Sequence, residues 1–213
     1  MLSLTRSNLT QSVVVCVMLS YLLQGFTMNE VQAVKDVSML QVIPTLLAKH
    51  HSEQIGDIWN FGVNVALRIS DLLSIEMTDI VGDRLTITEG KTKKKAIIKL
   101  NEKALNIVTE IALSYPDNIY LFQSMNSRNV VNRSPKPLSR QAVSTAFKAV
   151  GEIVGIDLGT HSMRKTRGYH LYNKTKDIAR VMKMLRHSSE AVTLRYIGIT
   201  QDCIDNDFID LVL

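Results

Sequence analysis

Residues 161–196 constrain this chain more than any other stretch. They contain nine lysines and arginines against two acidic residues, which is more positive charge than the formal +5 of the whole chain. A field concentrated in this way indicates a polyanionic partner. The sequence pI of about 9.2 agrees with a nucleic acid as that partner, although charge alone is weak evidence.

The same stretch contains the side chains of a phosphoryl-transfer site. Arginine binds phosphate with a rigid bidentate fork, histidine donates or accepts protons near neutral pH, and tyrosine can act as a covalent nucleophile. His161 and Arg164 are three residues apart and share a face if the segment is helical. His187 and Tyr196 follow, nine residues apart. Together these groups form the parts of a site that needs no metal ion.

Two further residues complete a pattern known from one family. Arg68 lies in Ala66-Leu-Arg-Ile-Ser-Asp-Leu72, and Lys91 lies in Glu89-Gly-Lys-Thr92. The complete series is Arg68, Lys91, His161, Arg164, His187 and Tyr196. From Thr27 to Tyr196 the chain therefore resembles the catalytic domain of the tyrosine recombinases, the phage integrase family.

The resemblance implies an enzyme that cuts and rejoins DNA at specific sites. Tyr196 would attack a phosphodiester and form a 3′-phosphotyrosyl intermediate, and the other five residues of the series would complete the catalytic set. No metal and no other cofactor is expected. The partners would be double-stranded DNA with recombination sites and further copies of the chain, as a tetramer on DNA. The alternatives are a non-catalytic DNA-binding protein derived from a recombinase and a type IB topoisomerase-like strand transferase.

The resemblance also implies an α+β fold that is mainly helical, with a small antiparallel β-sheet at about residues 80–100. We expect an N-terminal extension at 1–26, the catalytic domain at 27–200 and an acidic amphipathic tail helix at 201–213. Catalytic-domain helices use most of the residues before Arg68. The chain therefore resembles the short, single-domain recombinases, which have no separate core-binding domain.

Alternating side chains predict a β-hairpin in the middle of the chain. Arg84–Thr88 alternates as a half-buried strand does, and residues 96–100 predict its partner. The turn between them is opened by Gly90 and is rich in lysine. Such a turn is often only a solvated loop. The resemblance assigns the catalytic lysine to Lys91, with Lys93 as the alternative, and DNA backbone contacts to Lys93, Lys94 and Lys95.

Apolar spacing predicts helices on both sides of the hairpin, among them one from Met39 and one from Glu53. A later helix, capped by Ser139, opens with Arg140, which would meet a phosphate at the helix N-terminus. The other predicted DNA-binding residues are Lys165 and Arg167. Arg68 lies between apolar segments, so it must either pair with an acid such as Asp71 or face a ligand.

The remaining features fit a cytoplasmic, DNA-associated protein encoded by a bacterium or a phage. Cys16 and Cys203 form neither a disulfide framework nor a metal-binding spacing. The apolar run Val13–Leu23 is too short for a bilayer, which requires about 20 apolar residues. It is interpreted as a packed helix or inert extension, with sequence upstream of a start at Met28 and a targeting segment as alternatives.

The C-terminal tail combines acidic residues with an apolar stripe at helical spacing. The stripe consists of Ile204, Phe208, Leu211 and Val212. A helix of this kind could cover its own domain or dock on a neighbouring protomer. In many recombinases it docks on the neighbour, and the resemblance favours that arrangement here.

Overall fold

The computed structural model describes residues 31–91, 93–125, 134–200, 205 and 208–212. This part of the chain folds into helices with one small sheet between the third and the fourth of them. The elements are α1 (Met39–His50), α2 (Glu53–Val65), α3 (Ile69–Leu73), β1 (Ile80–Val81), β2 (Arg84–Thr88), β3 (Lys95–Lys99), α4 (Glu102–Ser114), α5 (Arg140–Val154), α6 (Ser162–Thr175), α7 (Ile178–Leu185) and α8 (Glu190–Tyr196). A short 3₁₀ turn, Met77–Asp79, precedes β1. This architecture confirms the predicted mainly helical α+β fold.

Side-chain caps determine where several of these helices begin. Ser52, Asn101, Ser139, Asp177 and Ser189 each accept a backbone N–H from the first turn of the following helix. Each such cap contributes about 1 kcal/mol to helix stability, because it satisfies a donor that has no partner within the helix. The predicted cap at Ser139 is confirmed.

The sheet is antiparallel and has the strand order β1-β2-β3. Leu85 of β2 pairs with Ile98, and Ile87 pairs with Ala96. Leu85, Ile87 and Ala96 are buried, so this face covers the core. The predicted hairpin is confirmed, and its second strand begins at Lys95, one residue earlier than expected.

Two clusters of buried side chains stabilise the described unit. The larger cluster joins α1 to α5 and the sheet, with edge-to-face ring pairs between Trp59 and Phe147 at 5.3 Å and between Phe61 and Phe122 at 5.8 Å. The smaller cluster is built from Ala66, Val181, Leu185 and Ile197.

Helix α6 connects the two clusters. Met163 contributes to the larger cluster from one side of the helix. On another side, a Cβ at Gly168 would lie 2.9 Å from Ile197 and 3.2 Å from Leu185, so only glycine allows the smaller cluster to approach this closely. Helix α6 therefore lies between the two clusters.

Several predictions about the termini lie at or beyond the described residues. The apolar run Val13–Leu23, both cysteines and Ile204 are outside them. In the tail, residues 208–210 are helical, and Phe208, Leu211 and Val212 are exposed. None of the described helices is long and apolar enough to cross a membrane.

The crossing of α1 and α2 depends on Gly56. A Cβ there would lie 2.8 Å from the carbonyl oxygen of Pro44. In an unobstructed helix, glycine to alanine stabilises by about 1 kcal/mol. We expect Gly56→Ala to destabilise the protein instead, by about 1–3 kcal/mol, because the two backbones must separate. Urea unfolding followed by circular dichroism measures the change, and equal or greater stability would contradict the close crossing.

Candidate active site

Arg164 lies at the centre of the site and is almost completely buried, with 1% of its surface exposed. Its Nη1 donates to the carbonyl oxygen of Ala66 at 2.6 Å, and its Nη2 donates to that of Leu185. These carbonyls lie at the C-terminal ends of α2 and α7, where they lack helix partners and carry partial negative charge. Burial lowers the pKa of Arg164 to about 10, so the guanidinium remains charged at neutral pH.

Arg68 is positioned by the sharp junction between α2 and α3. Ala66 is the C-cap residue of α2 and has the left-handed conformation, at φ 53°, and Arg68 is the N-cap residue of α3. Nη1 of Arg68 lies 3.0 Å from Oε2 of Glu89 but 3.8 Å from Oδ2 of Asp71. The partner predicted from sequence, Asp71, is therefore the more distant of two acids. Its other oxygen accepts the backbone N–H of Gly90 at 2.9 Å, which anchors the hairpin turn.

Glu89 joins a third guanidinium to the site. Its carboxylate is fully buried, and Oε1 lies 2.5 Å from Nε of Arg186. Arg186 adopts φ 54° directly after α7, a position where glycine is strongly preferred. The left-handed conformation costs an L-residue about 1–2 kcal/mol. The contact with Glu89 offsets that cost.

The same turn places His187 next to Tyr196. The backbone N–H of His187 donates to the carbonyl oxygen of Met182 at 2.9 Å, which closes the C-terminus of α7. The imidazole then meets the phenol ring edge-to-face, with the ring centroids 5.0 Å apart. Burial, followed by the charges of Arg164 and Arg68, lowers the pKa of His187 to about 4.

Tyr196 ends α8 with its hydroxyl next to His161. The hydroxyl oxygen lies 3.3 Å from Nδ1 of His161. Burial raises the pKa of Tyr196, while the charges of Arg164 and Arg68 and a hydrogen bond from Arg164 lower it. Desolvation and then the charge of Arg140 lower the pKa of His161, so its neutral, proton-accepting form is favoured at neutral pH. Because the pKa of Tyr196 is raised overall and that of His161 is lowered, the proton stays on the phenol in this state, with His161 placed within reach to accept it.

Five of the six predicted catalytic residues are thus brought together, and Lys91 is not packed among them. Its side chain is exposed on the hairpin turn. The turn is closed by hydrogen bonds between Glu89 and Lys94 and from Lys93 to Glu89, and Lys93 has φ 56°. Lys93, Lys94 and Lys95 are also exposed. The Asp71–Gly90 hydrogen bond links this turn to α3, the helix that follows Arg68.

The other predicted DNA-binding residues occupy three different settings. Arg140 is exposed at the start of α5, close enough to His161 to affect its pKa. Lys165 is buried, with Nζ 5.3 Å from the centroid of the Tyr196 ring. Arg167 lines a separate cavity of about 200 Å³ together with Trp59 and His170. The structure therefore places Lys165 at the proposed nucleophile and does not bring Arg167 to the site.

Sequence reasoning missed Glu89 and Arg186. Glu89 had a detectable signal, because it continues the alternation of Leu85 and Ile87 and therefore falls on the buried face of β2. A carboxylate there requires a cation. Arg186 had no comparable signal, since its partner lies 97 residues away. In the described part of the chain, no group of three or more His, Cys, Asp or Glu side chains could hold a metal ion.

Comparison with known proteins shows the family to which the chain belongs. The model of the phage integrase family matches residues 38–202. This chain belongs to the phage integrase family. Its relatives include the "Probable integrase/recombinase YoeC" of Bacillus subtilis (strain 168), which is 37% identical over 177 residues, covering 82% of this chain and 93% of that protein.

A second relative shows how the family varies in length. The "Tyrosine recombinase XerA" of Pyrococcus furiosus is 28% identical over 137 residues, which cover 63% of this chain and 46% of that protein. The chain thus spans nearly all of the Bacillus protein and under half of the Pyrococcus recombinase.

Solved structures share the fold at low sequence identity. A crystal structure of XerA recombinase has a TM-score of 0.63 at 16% identity, covering 84% of this chain and 64% of that one. A lambda integrase dimer bound to a COC′ core site has a TM-score of 0.62 at 18% identity, covering 80% of this chain and 49% of that one. These similarities confirm the fold of a tyrosine recombinase catalytic domain.

The importance of the buried Glu89 carboxylate can be tested against a surface carboxylate that also forms an ion pair. We expect Glu89→Ala to lower the free energy of unfolding by about 3 kcal/mol or more, because it leaves two largely buried guanidiniums without their acid. Asp83, half exposed and 3.2 Å from Lys99, is the control. Asp83→Ala should cost no more than about 1 kcal/mol, as surface ion pairs do. Denaturant unfolding of both variants measures the difference, and equal losses would contradict the central role of Glu89.

Proposed function

We propose that this protein is a site-specific DNA recombinase that cuts and rejoins DNA through a 3′-phosphotyrosyl intermediate. One observation carries the proposal: the Tyr196 hydroxyl lies 3.3 Å from a histidine nitrogen. The charge of the buried Arg164 also acts to lower the pKa of the phenol. A phenol has a pKa near 10, so its attack at neutral pH needs a proton acceptor and nearby positive charge. His161 and Arg164 supply these two requirements.

The proposed phosphate position lies between the guanidiniums. Arg68 and Arg164 would bind the non-bridging oxygens, where negative charge grows in the transition state. His187 would add a third donor. Arg186 increases the positive field at Arg164 and His187, and its charge contributes to the pKa of both. Cations held in this way can act where other phosphoryl-transfer enzymes use Mg²⁺.

The proposed bond changes balance without an outside energy source. The phenolic oxygen of Tyr196 forms a bond to phosphorus, the bond from phosphorus to the 5′-oxygen breaks, and the phenolic proton passes to His161. Lys91 donates a proton to the departing 5′-oxygen. A 5′-hydroxyl of another strand then attacks the phosphotyrosine and releases Tyr196. Because the phosphotyrosine conserves the energy of the cut bond, ATP is not required.

Double-stranded DNA and further copies of this chain are the proposed partners. The exposed lysines of the hairpin turn and Arg140 would contact the DNA backbone, and Lys165 would act from beside Tyr196. The exposed tail residues Phe208, Leu211 and Val212 support docking of the tail on a neighbouring protomer. Assembly as a tetramer in the cytoplasm would bring two DNA sites together.

The nucleophile can be tested with a duplex that carries a recombination site, mapped by sequencing junctions from cells expressing the protein. We expect Tyr196→Phe to bind this duplex and to form no covalent protein–DNA adduct, because phenylalanine has no attacking oxygen. The matched control, Tyr172→Phe on α6, should still form the adduct. The cleavage reaction is run in excess EDTA, and denaturing electrophoresis then detects the covalent adduct. An adduct with Tyr196→Phe, or one that requires Mg²⁺, would refute the mechanism.

The hairpin lysines can be distinguished by the leaving group. Lys91→Ala should slow cleavage by about 10²–10⁴-fold on a normal phosphodiester, since general acid catalysis is lost. A substrate with sulfur at the 5′-bridging position needs no proton on its leaving group, so most of the rate should return. Lys93→Ala is the control, and rescue of Lys93→Ala in place of Lys91→Ala would transfer the role to Lys93.

A further inference from the structure

His187 and Thr193 share a hydrogen bond whose direction can be assigned. The hydroxyl oxygen of the buried Thr193 lies 3.2 Å from Nδ1 of His187 and 2.7 Å from the carbonyl oxygen of Ser189. A carbonyl oxygen only accepts, so the single hydroxyl proton of Thr193 is donated to Ser189. The hydroxyl can then only accept from His187. Nδ1 of His187 must therefore carry a proton.

We propose that Thr193 is a positioning residue that holds His187 in its Nδ1-protonated form, so that Nε2 lacks a proton until DNA binds. In a neutral imidazole one nitrogen donates and the other accepts. With Nδ1 committed to Thr193, Nε2 can donate to a phosphate oxygen only when the ring is an imidazolium. The inference rests on the proposed function, because that function places a phosphate at Nε2.

The surroundings of His187 keep the ring neutral in the DNA-free protein. Arg164 faces it from α6, Arg68 from the α2–α3 junction and Arg186 from its own turn, and the ring of Tyr196 packs on it from α8. Burial first, and then these three guanidiniums, give His187 a pKa of about 4. At neutral pH, Nε2 therefore has a lone pair and no proton.

A bound phosphodiester would favour the protonated form of the His187 ring. Its negative charge would add to that of Glu89, which already contacts Arg68 and Arg186. An anion within hydrogen-bonding distance raises the pKa of an imidazole. Nε2 of His187 then takes one proton from solvent, and the new N–H donates to a non-bridging oxygen. No DNA bond breaks in this step, and the substrate itself creates the third donor.

Nitrogen NMR of the DNA-free protein labelled with ¹⁵N-histidine measures the tautomer directly at neutral pH. His170 is an internal reference for the opposite form, because its Nε2 lies 2.9 Å from the carbonyl oxygen of Val34 and must donate. We expect His187, assigned by its loss in His187→Asn, to be protonated at Nδ1 and unprotonated at Nε2. Protonation of the neutral ring at Nε2 would overturn the proposal.

Two variants test whether the Thr193 hydroxyl sets the tautomer. Thr193→Val keeps the side-chain shape and removes the acceptor, so we expect His187 to shift towards the Nε2-protonated form. Thr193→Ser keeps the hydroxyl and should preserve the wild-type spectrum. The His170 signal reports that the fold is intact. A His187 that stays fully Nδ1-protonated in Thr193→Val would show that another group sets the tautomer and would overturn the role of Thr193.

Proton uptake tests the consequence for DNA binding. Calorimetric titration of the mapped recombination duplex, in buffers with different heats of ionisation, counts the protons bound with DNA. We expect wild-type protein to take up as much as one proton more than Thr193→Val when DNA binds. Equal uptake would overturn the proposed protonation of Nε2 of His187. Failure of the proposed nucleophile would appear separately, as a covalent adduct formed by Tyr196→Phe, and would leave the tautomer measurement unaffected.

Discussion

The buried guanidinium of Arg164 is the contact on which the rest of the site depends. Removing a charge from water costs several kcal/mol, so it must be matched by acceptors of good geometry. The carbonyls of Ala66 and Leu185 serve as these acceptors, and as helix-terminal groups they also need donors. The side chain of Arg164 therefore provides hydrogen-bond donors for the C-terminal carbonyl groups of two helices. Because the chain continues from these ends to Arg68 and to His187, the same two hydrogen bonds also position both of those residues.

Positive charge is concentrated here before any DNA is present, and Glu89 makes that possible. The charges of Arg68 and Arg186 both act to lower the pKa of the buried Arg164, and all three guanidiniums act to lower the pKa of His187. Without a nearby negative charge, the three guanidiniums would repel one another. The buried carboxylate contacts two of the three guanidiniums and leaves a net positive charge for a phosphate. It also connects the hairpin strand β2 to the end of α7, so the charge balance and the packing of the site are fixed by one residue.

The fold class and the order of the site residues could be predicted from the family resemblance, and local patterns predicted single elements. Alternation predicted the strands, and the cap at Ser139 predicted the start of α5. The roles of single lysines and arginines on α6 could not be predicted from charge. Lys165 and Arg167 are two residues apart, and side chains at that separation point to different faces of a helix. One therefore lies at the ring of Tyr196, and the other lines a cavity with Trp59. The Glu89–Arg186 pair joins distant segments, which local patterns do not reveal.

The attachment of α8 differs from that of the rest of the site. Thr193 and Ile197 anchor this short helix, and Ile197 belongs to the smaller buried cluster, which shares no buried residue with the larger one. Local opening of a segment costs only the contacts of that segment, which is a fraction of the global stability. In the proposed reaction Tyr196 becomes covalently joined to a DNA strand and must follow it during exchange. Because Ala66 and Leu185 of this same cluster hold Arg164 through their carbonyl oxygens, such a movement would have to release the contacts of Thr193 and Ile197 while those of Arg164 remain.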